Sequence, residues 1–266
     1  SPAATLAVTV NNTPAAPTLS SNSPVCQNGN LQLNASPGGF VYAWSGPNGF
    51  GSTLQNPMIT GIGLNGSGTY SVTASLNGCA SQAATTAVSV HPTPPAPIVA
   101  GTTSLCAGQA ITLSANLTGA TSYNWTGPDG FISTAKNPTI INASTNASGI
   151  YSVSAVLNGC TSAAGSISVT VNPIPATPLA SYSGPVCTGN VFSLAATPNG
   201  MSYLWNGPAG FTSTSQNPSV AASSTTAAGL YSLTVTSLGC KSAPATISIT
   251  VKSTPAPPAA GGTSTL

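Results

Sequence analysis

Two kinds of residue in this chain are able to do chemistry, and they are distributed very differently. The ionisable set is nearly empty: 266 residues hold Asp129, Lys136, Lys241 and Lys252, one histidine (His91), no Glu and no Arg. A general acid–base pair, a Ser-His-Asp triad and a carboxylate metal site each need several such groups close together. Asp129 and His91 stand 38 positions apart (129 minus 91). No catalytic, cofactor-binding or metal-ligating residue is assigned, and the expectation is a protein that is not an enzyme and uses no cofactor. Three scattered lysines give no footprint for phosphates, so nucleic acid is not an expected partner. The second set is cysteine, at Cys26, Cys79, Cys106, Cys160, Cys187 and Cys240. There is no C-x-x-C pair and no partnering histidine, which argues against a metal site. Regularly placed cysteines in such a chain read as a disulfide framework made in an oxidising, extracellular setting.

The elements that must position these cysteines are repeated. Trp44, Trp125 and Trp205 lie 81 and 80 residues apart, and the two cysteine series keep the same period (80 and 81; 81 and 80). Three marker series with one period identify a tandem array. Proline-rich stretches mark the boundaries: TPAAP at 13–17, TPPAP at 93–97, IPATP at 174–178 and TPAPP at 254–258. Proline removes backbone donors and favours extended backbone, so these read as short, semi-rigid connectors. The expected division is residues 14–92, 93–173 and 174–253 for three repeats. Residues 1–13 read as the closing strand of a preceding repeat, because SPAATLAVTV at 1–10 aligns with SAPATISITV at 242–251. Residues 254–266 read as the opening of a following one. On this reading the sequence is a window on a longer array.

Inside each repeat the period of hydrophobicity is two. LQLNA at 31–35, ITLSA at 111–115 and FSLAA at 192–196 alternate, as do YSVTA at 70–74, YSVSA at 151–155 and YSLTV at 231–235. With turn signals every 8–12 residues, this pattern predicts an all-β chain of three immunoglobulin-like antiparallel sandwiches. The apolar fraction is 41%, enough to build cores, and no apolar run approaches the ~20 residues that span a bilayer, so no membrane insertion is expected in this window. Trp44, Trp125 and Trp205 each place one large ring on the core face of the second strand, and Tyr70, Tyr151 and Tyr231, which open the later strand, are expected in the core as well. YAWSGPNGF at 42–50 returns as YNWTGPDGF at 123–131 and YLWNGPAGF at 203–211. It reads as a turn: Pro47, Pro128 and Pro208 preset φ, and Gly49, Gly130 and Gly210 supply positive φ. The residue between them varies as Asn48, Asp129 and Ala209, so its side chain is no shared ligand. The N-x-S/T triplets at Asn11, Asn34, Asn65, Asn116, Asn124, Asn142 and Asn146 read as chance in a chain this rich in Asn, Ser and Thr. His91 falls at a linker and is given no role.

Together these motifs carry a family resemblance: Cys with a following Gly, L-x-A, Y-x-W-x-G-P-x-G-F, G-x-Y-S, and finally G-C with Ser two residues on. The pattern resembles the Ig-like/PKD-like repeats of very large secreted surface proteins of Bacteroidetes, and it covers essentially the whole chain. The resemblance implies a place in adhesins, stalks or appendages and export by the type IX route. SGTY at 67–70 and its counterparts resemble the tyrosine corner of an immunoglobulin F strand. The Asp usual just before such a Gly is absent, so the corner must close differently.

Two disulfide schemes stand open. In-repeat pairing joins Cys26–Cys79, Cys106–Cys160 and Cys187–Cys240, each closing a loop of ~54 residues worth roughly 4 kcal/mol by chain entropy. Strand mapping opposes it, since the first cysteine falls at one end of the sandwich and the second at the other. Bridged Cα atoms must lie within about 7 Å, while a sandwich is roughly 30 Å long. Head-to-tail stacking brings those ends together between repeats, which gives Cys26–Cys160 and Cys106–Cys240, with Cys79 and Cys187 expected to pair with neighbouring units outside this window. The expected partners are therefore neighbouring repeats of the same chain, with lateral association into a fibre also open because the net charge is only +2. The functional expectation is an extracellular stalk or shaft. The alternatives are repeats that bind surface polysaccharide, and a self-assembling filament subunit.

Overall fold

A computed structural model describes residues Ala3–Pro255. Most of the stretch 254–266, read above as the opening of a following repeat, lies outside the described residues. The chain is all-β, built of immunoglobulin-like sandwiches in tandem, and the helical turns among the described residues are single turns of 3₁₀ type. It divides into two compact units. One holds the residues up to Ala100 with Leu113–Pro138 and Tyr151–Ile167; the other holds Gly101–Thr112, Thr139–Ile150 and the residues from Ser168 on. The first repeat thus lies wholly in one unit and the third wholly in the other, while the middle repeat contributes to both.

The first repeat shows how the alternating sequence folds. Its strands are β1 (Thr18–Ser21), β2 (Val25–Cys26), β3 (Leu31–Ser36), β4 (Val41–Ser45), β5 (Gly51–Ser52), β6 (Met58–Ile59), β7 (Gly68–Leu76), β8 (Cys79–Ala80), β9 (Ala84–Val88) and β10 (Val90–His91). One sheet runs β1-β3-β6. The other runs β5-β4-β7, with β8 and β9 both paired to β7. β2 leaves the first sheet and pairs in parallel with β10, Val25 opposite Val90 and Cys26 opposite His91. The burial pattern of β3 is strictly alternate, and Leu31, Leu33 and Ala35 point into a core shared with Tyr42, Trp44, Tyr70, Val72 and Val88. Period-two alternation with one buried face is the signature of a half-covered sheet. Among the described residues ahead of Thr18 no strand forms, and Leu6, Val8 and Val10 are exposed.

The third repeat reproduces this plan. Leu179–Tyr182, Val191–Thr197 and Ser219–Ala221 form one sheet. Ser202–Asn206 and Gly229–Ser237 lead the other, and Val186–Cys187 pairs in parallel with Val251–Lys252. Its core gathers Phe192, Leu194, Trp205, Tyr231, Leu233 and Ile249. In the middle repeat, Ser122–Thr126 pairs antiparallel with residues 152–156 in the first unit. Ser104–Cys106 pairs in parallel with residues 170–172 in the second.

The core differs from the sequence reading in one respect. One large ring was expected on the core face of each Tyr-x-Trp strand, and the structure puts two there. Tyr42 and Trp44 are both buried, as are Tyr203 and Trp205, because residues i and i+2 share a face. Each polar tip finds an acceptor. Trp44 Nε1 donates to the Leu54 carbonyl at 3.0 Å, the Tyr42 hydroxyl donates to the Pro37 carbonyl, and the Tyr203 hydroxyl donates to the Pro198 carbonyl at 2.7 Å. Buried tyrosine and tryptophan are tolerated when such partners exist.

Candidate functional site at the repeat junctions

Chemistry-bearing groups come together where one repeat meets the next. The first contributor is the hairpin between β7 and β8. Asn77 and Gly78 both have positive φ (51° and 82°), and Leu76 pairs directly with Cys79 across them. A two-residue turn with both residues left-handed matches the twist of the strands it joins. The same turn is built by Asn158-Gly159 (51° and 79°) ahead of Cys160, and by Leu238-Gly239 (49° and 79°) ahead of Cys240. Two residues beyond each cysteine a buried serine locks the hairpin. Ser81 Oγ accepts from the Ala74 N–H at 3.0 Å and donates to the Gln82 carbonyl at 2.8 Å. Ser162 and Ser242 make equivalent pairs of bonds.

The second contributor is the parallel pair of β2 with β10 and its counterparts, which sets Cys26 beside His91, Cys106 beside Asn172 and Cys187 beside Lys252. The N–H of the residue after each cysteine donates to the carbonyl of its neighbour, at 2.8 Å in all three repeats.

The structure brings Cys26 to Cys160 and Cys106 to Cys240. Both pairs are bonded, with Cα–Cα distances of 5.7 and 5.6 Å and a sequence separation of 134 residues in each. The in-repeat pairs Cys26–Cys79, Cys106–Cys160 and Cys187–Cys240 are not bonded, and Cys79 and Cys187 carry free thiols. The reason is positional: β2 and its counterparts lie on the last strand of their own repeat, away from that repeat's β7–β8 turn. Beside each disulfide runs a polar contact. His91 Nδ1 lies 2.9 Å from the Asn158 carbonyl, and Asn172 Nδ2 donates to the Leu238 carbonyl at 3.4 Å. His91, given no role from the sequence, therefore faces the turn that carries Cys160. The signal was present in the register, since the residue after the closing Val is polar each time (Asn11, His91, Asn172, Lys252).

The repeated YxWxGPxGF motif is structural in geometry. In the first repeat, Gly46 N–H donates to the Phe50 carbonyl at 3.0 Å, and Asn48 and Gly49 have φ of 56° and 71°. Asp129 and Ala209 take the same left-handed conformation, at 56° and 51°. Asn48 Nδ2 also donates to the Asn65 carbonyl at 2.9 Å, a bond Ala209 has no means to make. The motif packs on the tyrosine of β7: Phe50 meets Tyr70 edge-on with ring centroids 5.5 Å apart, and Phe131 and Phe211 repeat this on Tyr151 and Tyr231. The Tyr70 hydroxyl donates to the Gly66 carbonyl and the Tyr231 hydroxyl to the Ala227 carbonyl, both at 3.0 Å. The corner without an Asp closes on a carbonyl four residues upstream. Burial raises the hydroxyl pKa of Tyr70, Tyr151 and Tyr231, and the Asp129 carboxylate pushes Tyr151 further in the same direction.

Among the described residues, no three His, Cys, Asp or Glu side chains gather as metal ligands, and no helix is long and apolar enough to cross a membrane. An open hollow of about 280 Å³ is bordered by Pro47, Phe50, Ile62 and Tyr70, and a similar one by Pro208, Phe211, Val220 and Tyr231.

Residues 94–173 match the family described as "Ig-like domain CHU_C associated". No curated protein matches the chain. Among solved structures, domains A168–A170 of titin are 12% identical, with 88% of this chain and 99% of that chain covered and a TM-score of 0.38. Extracellular domains 3–5 of Drosophila OTK are 12% identical, covering 92% of this chain and 100% of that one, with a TM-score of 0.38. Three N-terminal domains of the outer capsid protein Hoc of bacteriophage RB49 are 14% identical, covering 90% and 99%, with a TM-score of 0.35.

Proposed function

We propose that this chain is a structural, non-catalytic segment of the stalk or shaft of a bacterial cell-surface adhesin or appendage, working outside the cell. The observation that carries the reading is the connectivity of the disulfides: each joins cysteines of successive repeats rather than two cysteines of one repeat. Such a bond does little for the core of a single sandwich and much for the link between sandwiches. The boundaries 14–92, 93–173 and 174–253 fit this reading, with each polar residue after a closing Val acting at the link. Export by the type IX route follows from the resemblance of the repeats. Neighbouring repeats of the same chain are the principal partners.

Single-molecule pulling tests it. With the disulfides intact, the shortest covalent route from Cys26 to Cys240 crosses to Cys160, returns along the backbone to Cys106 and crosses again. That is about 54 residues, or ~180 Å at ~3.4 Å per residue. With reductant the route is the backbone itself, about 214 residues and ~730 Å. The stalk reading expects stretching to stop near the short limit under oxidising conditions; equal extension with and without reductant overturns it.

The recurring hollow beside the GPxGF turn favours a second reading, repeats that hold a surface polysaccharide. A glycan array probed with the whole chain decides: saturable binding lost in Phe50→Ala and Phe211→Ala supports the second reading, and no binding leaves the stalk.

A further inference from the structure

The structure contains two complete junctions and two fragments that match the halves of a third. In the complete junctions the hairpin cysteine is buried, with Cys160 2% and Cys240 1% exposed. Cys79 stands on the same turn, with the same serine lock, and is half-buried and free. The contacts beside it are already those of a junction: Asn11 Nδ2 donates to the Asn77 carbonyl at 3.1 Å, as Asn172 does to Leu238. Cys79 Sγ lies 3.7 Å from the Asn11 carbonyl, and Cys240 Sγ lies 3.9 Å from that of Asn172. Among the described residues no strand pairs with Asn11 as Ser104–Cys106, with its cysteine, pairs with residues 170–172.

A separate observation points to the same place. Leu6, Val8 and Val10 are 89%, 77% and 87% exposed. The counterparts of Val8 and Val10, namely Val88, Val90, Val169, Val171, Ile249 and Val251, are all buried, and those of Leu6, namely Thr86, Ile167 and Ile247, are half-buried. Alternating apolar side chains before Asn11 thus have the sequence of a last strand and no core to enter. The opposite half is carried by the third repeat. Cys187 is free and paired beside Lys252, as Cys26 is beside His91 and Cys106 beside Asn172.

We propose that Cys79 with Asn11, and Cys187 with Lys252, are complementary docking halves that each take a further immunoglobulin-like module of this same kind. The half around Cys79 receives a module whose core covers Leu6, Val8 and Val10 and whose β2-like strand supplies a cysteine. The half around Cys187 receives a module presenting an Asn-Gly-Cys or Leu-Gly-Cys hairpin, with the Lys252 ammonium donating to the turn carbonyl. This rests on the proposed role of the disulfides as links between repeats. The bond forms by thiol–disulfide exchange. The Cys187 and Cys79 thiols of successive modules react with one oxidised glutathione, giving Cys187–S–S–Cys79 and two reduced glutathiones, so the two electrons and two protons pass to glutathione.

The test is a tandem fusion in which residue 254 is joined to residue 14 of a second copy, refolded in a glutathione redox buffer. The single chain has two free thiols, Cys79 and Cys187. The fusion is expected to titrate two as well, because the inner pair is consumed, and to yield a linked Cys187–Cys79 peptide on non-reducing mapping. Placing Cys79→Ser in the second copy alone is expected to raise the count to three. A count of four with the Cys26–Cys160 peptide intact overturns the docking halves and leaves the linking role standing. Loss of the Cys26–Cys160 peptide from the single chain overturns the linking role itself.

Discussion

Replacing Gly46 by alanine tests the packing of the repeated motif. A Cβ built at Gly46 lies 2.5 Å from Tyr70 Cδ1 and 2.6 Å from Cε1. Ordinary carbon–carbon contact is about 3.5–4.0 Å, so ring and strand must separate by roughly 1 Å or more. The backbone at Gly46 is extended, with φ of −171°, and any residue adopts it. The cost is therefore steric alone. Tyr70 has no slack, since it is 1% exposed, faces the edge of Phe50 and bonds the Gly66 carbonyl at 3.0 Å. Overpacking costs about 1–3 kcal/mol, and a stretched buried hydrogen bond adds about 1. Gly46→Ala is expected to destabilise the first repeat by about 2–4 kcal/mol, a large share of the ~4–12 kcal/mol that an 80-residue domain holds. Hydrogen exchange of peptides covering 68–76 under increasing urea reads this locally. Gly51→Ala is the control, because its Cβ meets only the Trp44 carbonyl at 3.7 Å, and it is expected to stay within about 0.5 kcal/mol of the parent. If Gly46→Ala matches Gly51→Ala, the argument from the Gly–Tyr contact is wrong.

Other perturbations separate the remaining parts of the account. Trp205→Ala removes a fully buried ring and the bond from its Nε1 to the Gln216 carbonyl, and is expected to cost about 3–5 kcal/mol by urea denaturation of the third repeat. Leu238 is 72% exposed at a φ of 49°, so Leu238→Asn, the residue of the other two turns, should stabilise by about 1 kcal/mol and raise the melting midpoint. Burial holds the hydroxyls of Tyr70 and Tyr231 protonated past their unfolded pKa of 10.0, so the unfolded chain releases those protons first. Stability is then full below pH 10 and falls as pH rises above it. Ultraviolet titration of tyrosinate should show these rings ionising late and together with unfolding. Cys26→Ser opens a loop of 134 residues, worth about 5 kcal/mol by chain entropy. It should lower the unfolding midpoint of the first unit while leaving that of the third repeat near its parent value.

The tandem sandwich fold was legible because burial on one face imposes period two, and period two is visible in LQLNA or YSVTA without any partner strand. Turn chemistry was legible for the same local reason: Pro47-Asn48-Gly49 sets its own dihedrals. The contacts between motifs were not. Gly46 and Tyr70 stand 24 residues apart (70 minus 46) in two patterns that recur in every repeat, yet nothing local says that one packs on the other. The second buried ring of the Tyr-x-Trp strand was missed by attention to its tryptophan alone, although Tyr42 shares that face by the same alternation. Cysteine pairing lay between these cases. Strand order placed the two series at opposite ends of a sandwich, but choosing the partner required the neighbouring repeat. The polar contact beside each disulfide stayed hidden because its residue changes identity from Asn to His while its register does not.

The two disulfide loops overlap, since Cys106 lies inside the loop closed by Cys26–Cys160 and Cys160 lies inside the loop closed by Cys106–Cys240. A single backbone cut between residues 26 and 106 leaves both pieces held by the first bond. One between 160 and 240 leaves them held by the second, and one between 106 and 160 leaves them held by both. No single cleavage from Cys26 to Cys240 can part the chain. Where proteases reach the chain, covalent continuity from Cys26 to Cys240 then outlasts any two nicks, and severing it requires a cut in each of the three segments 26–106, 106–160 and 160–240, or a reductant.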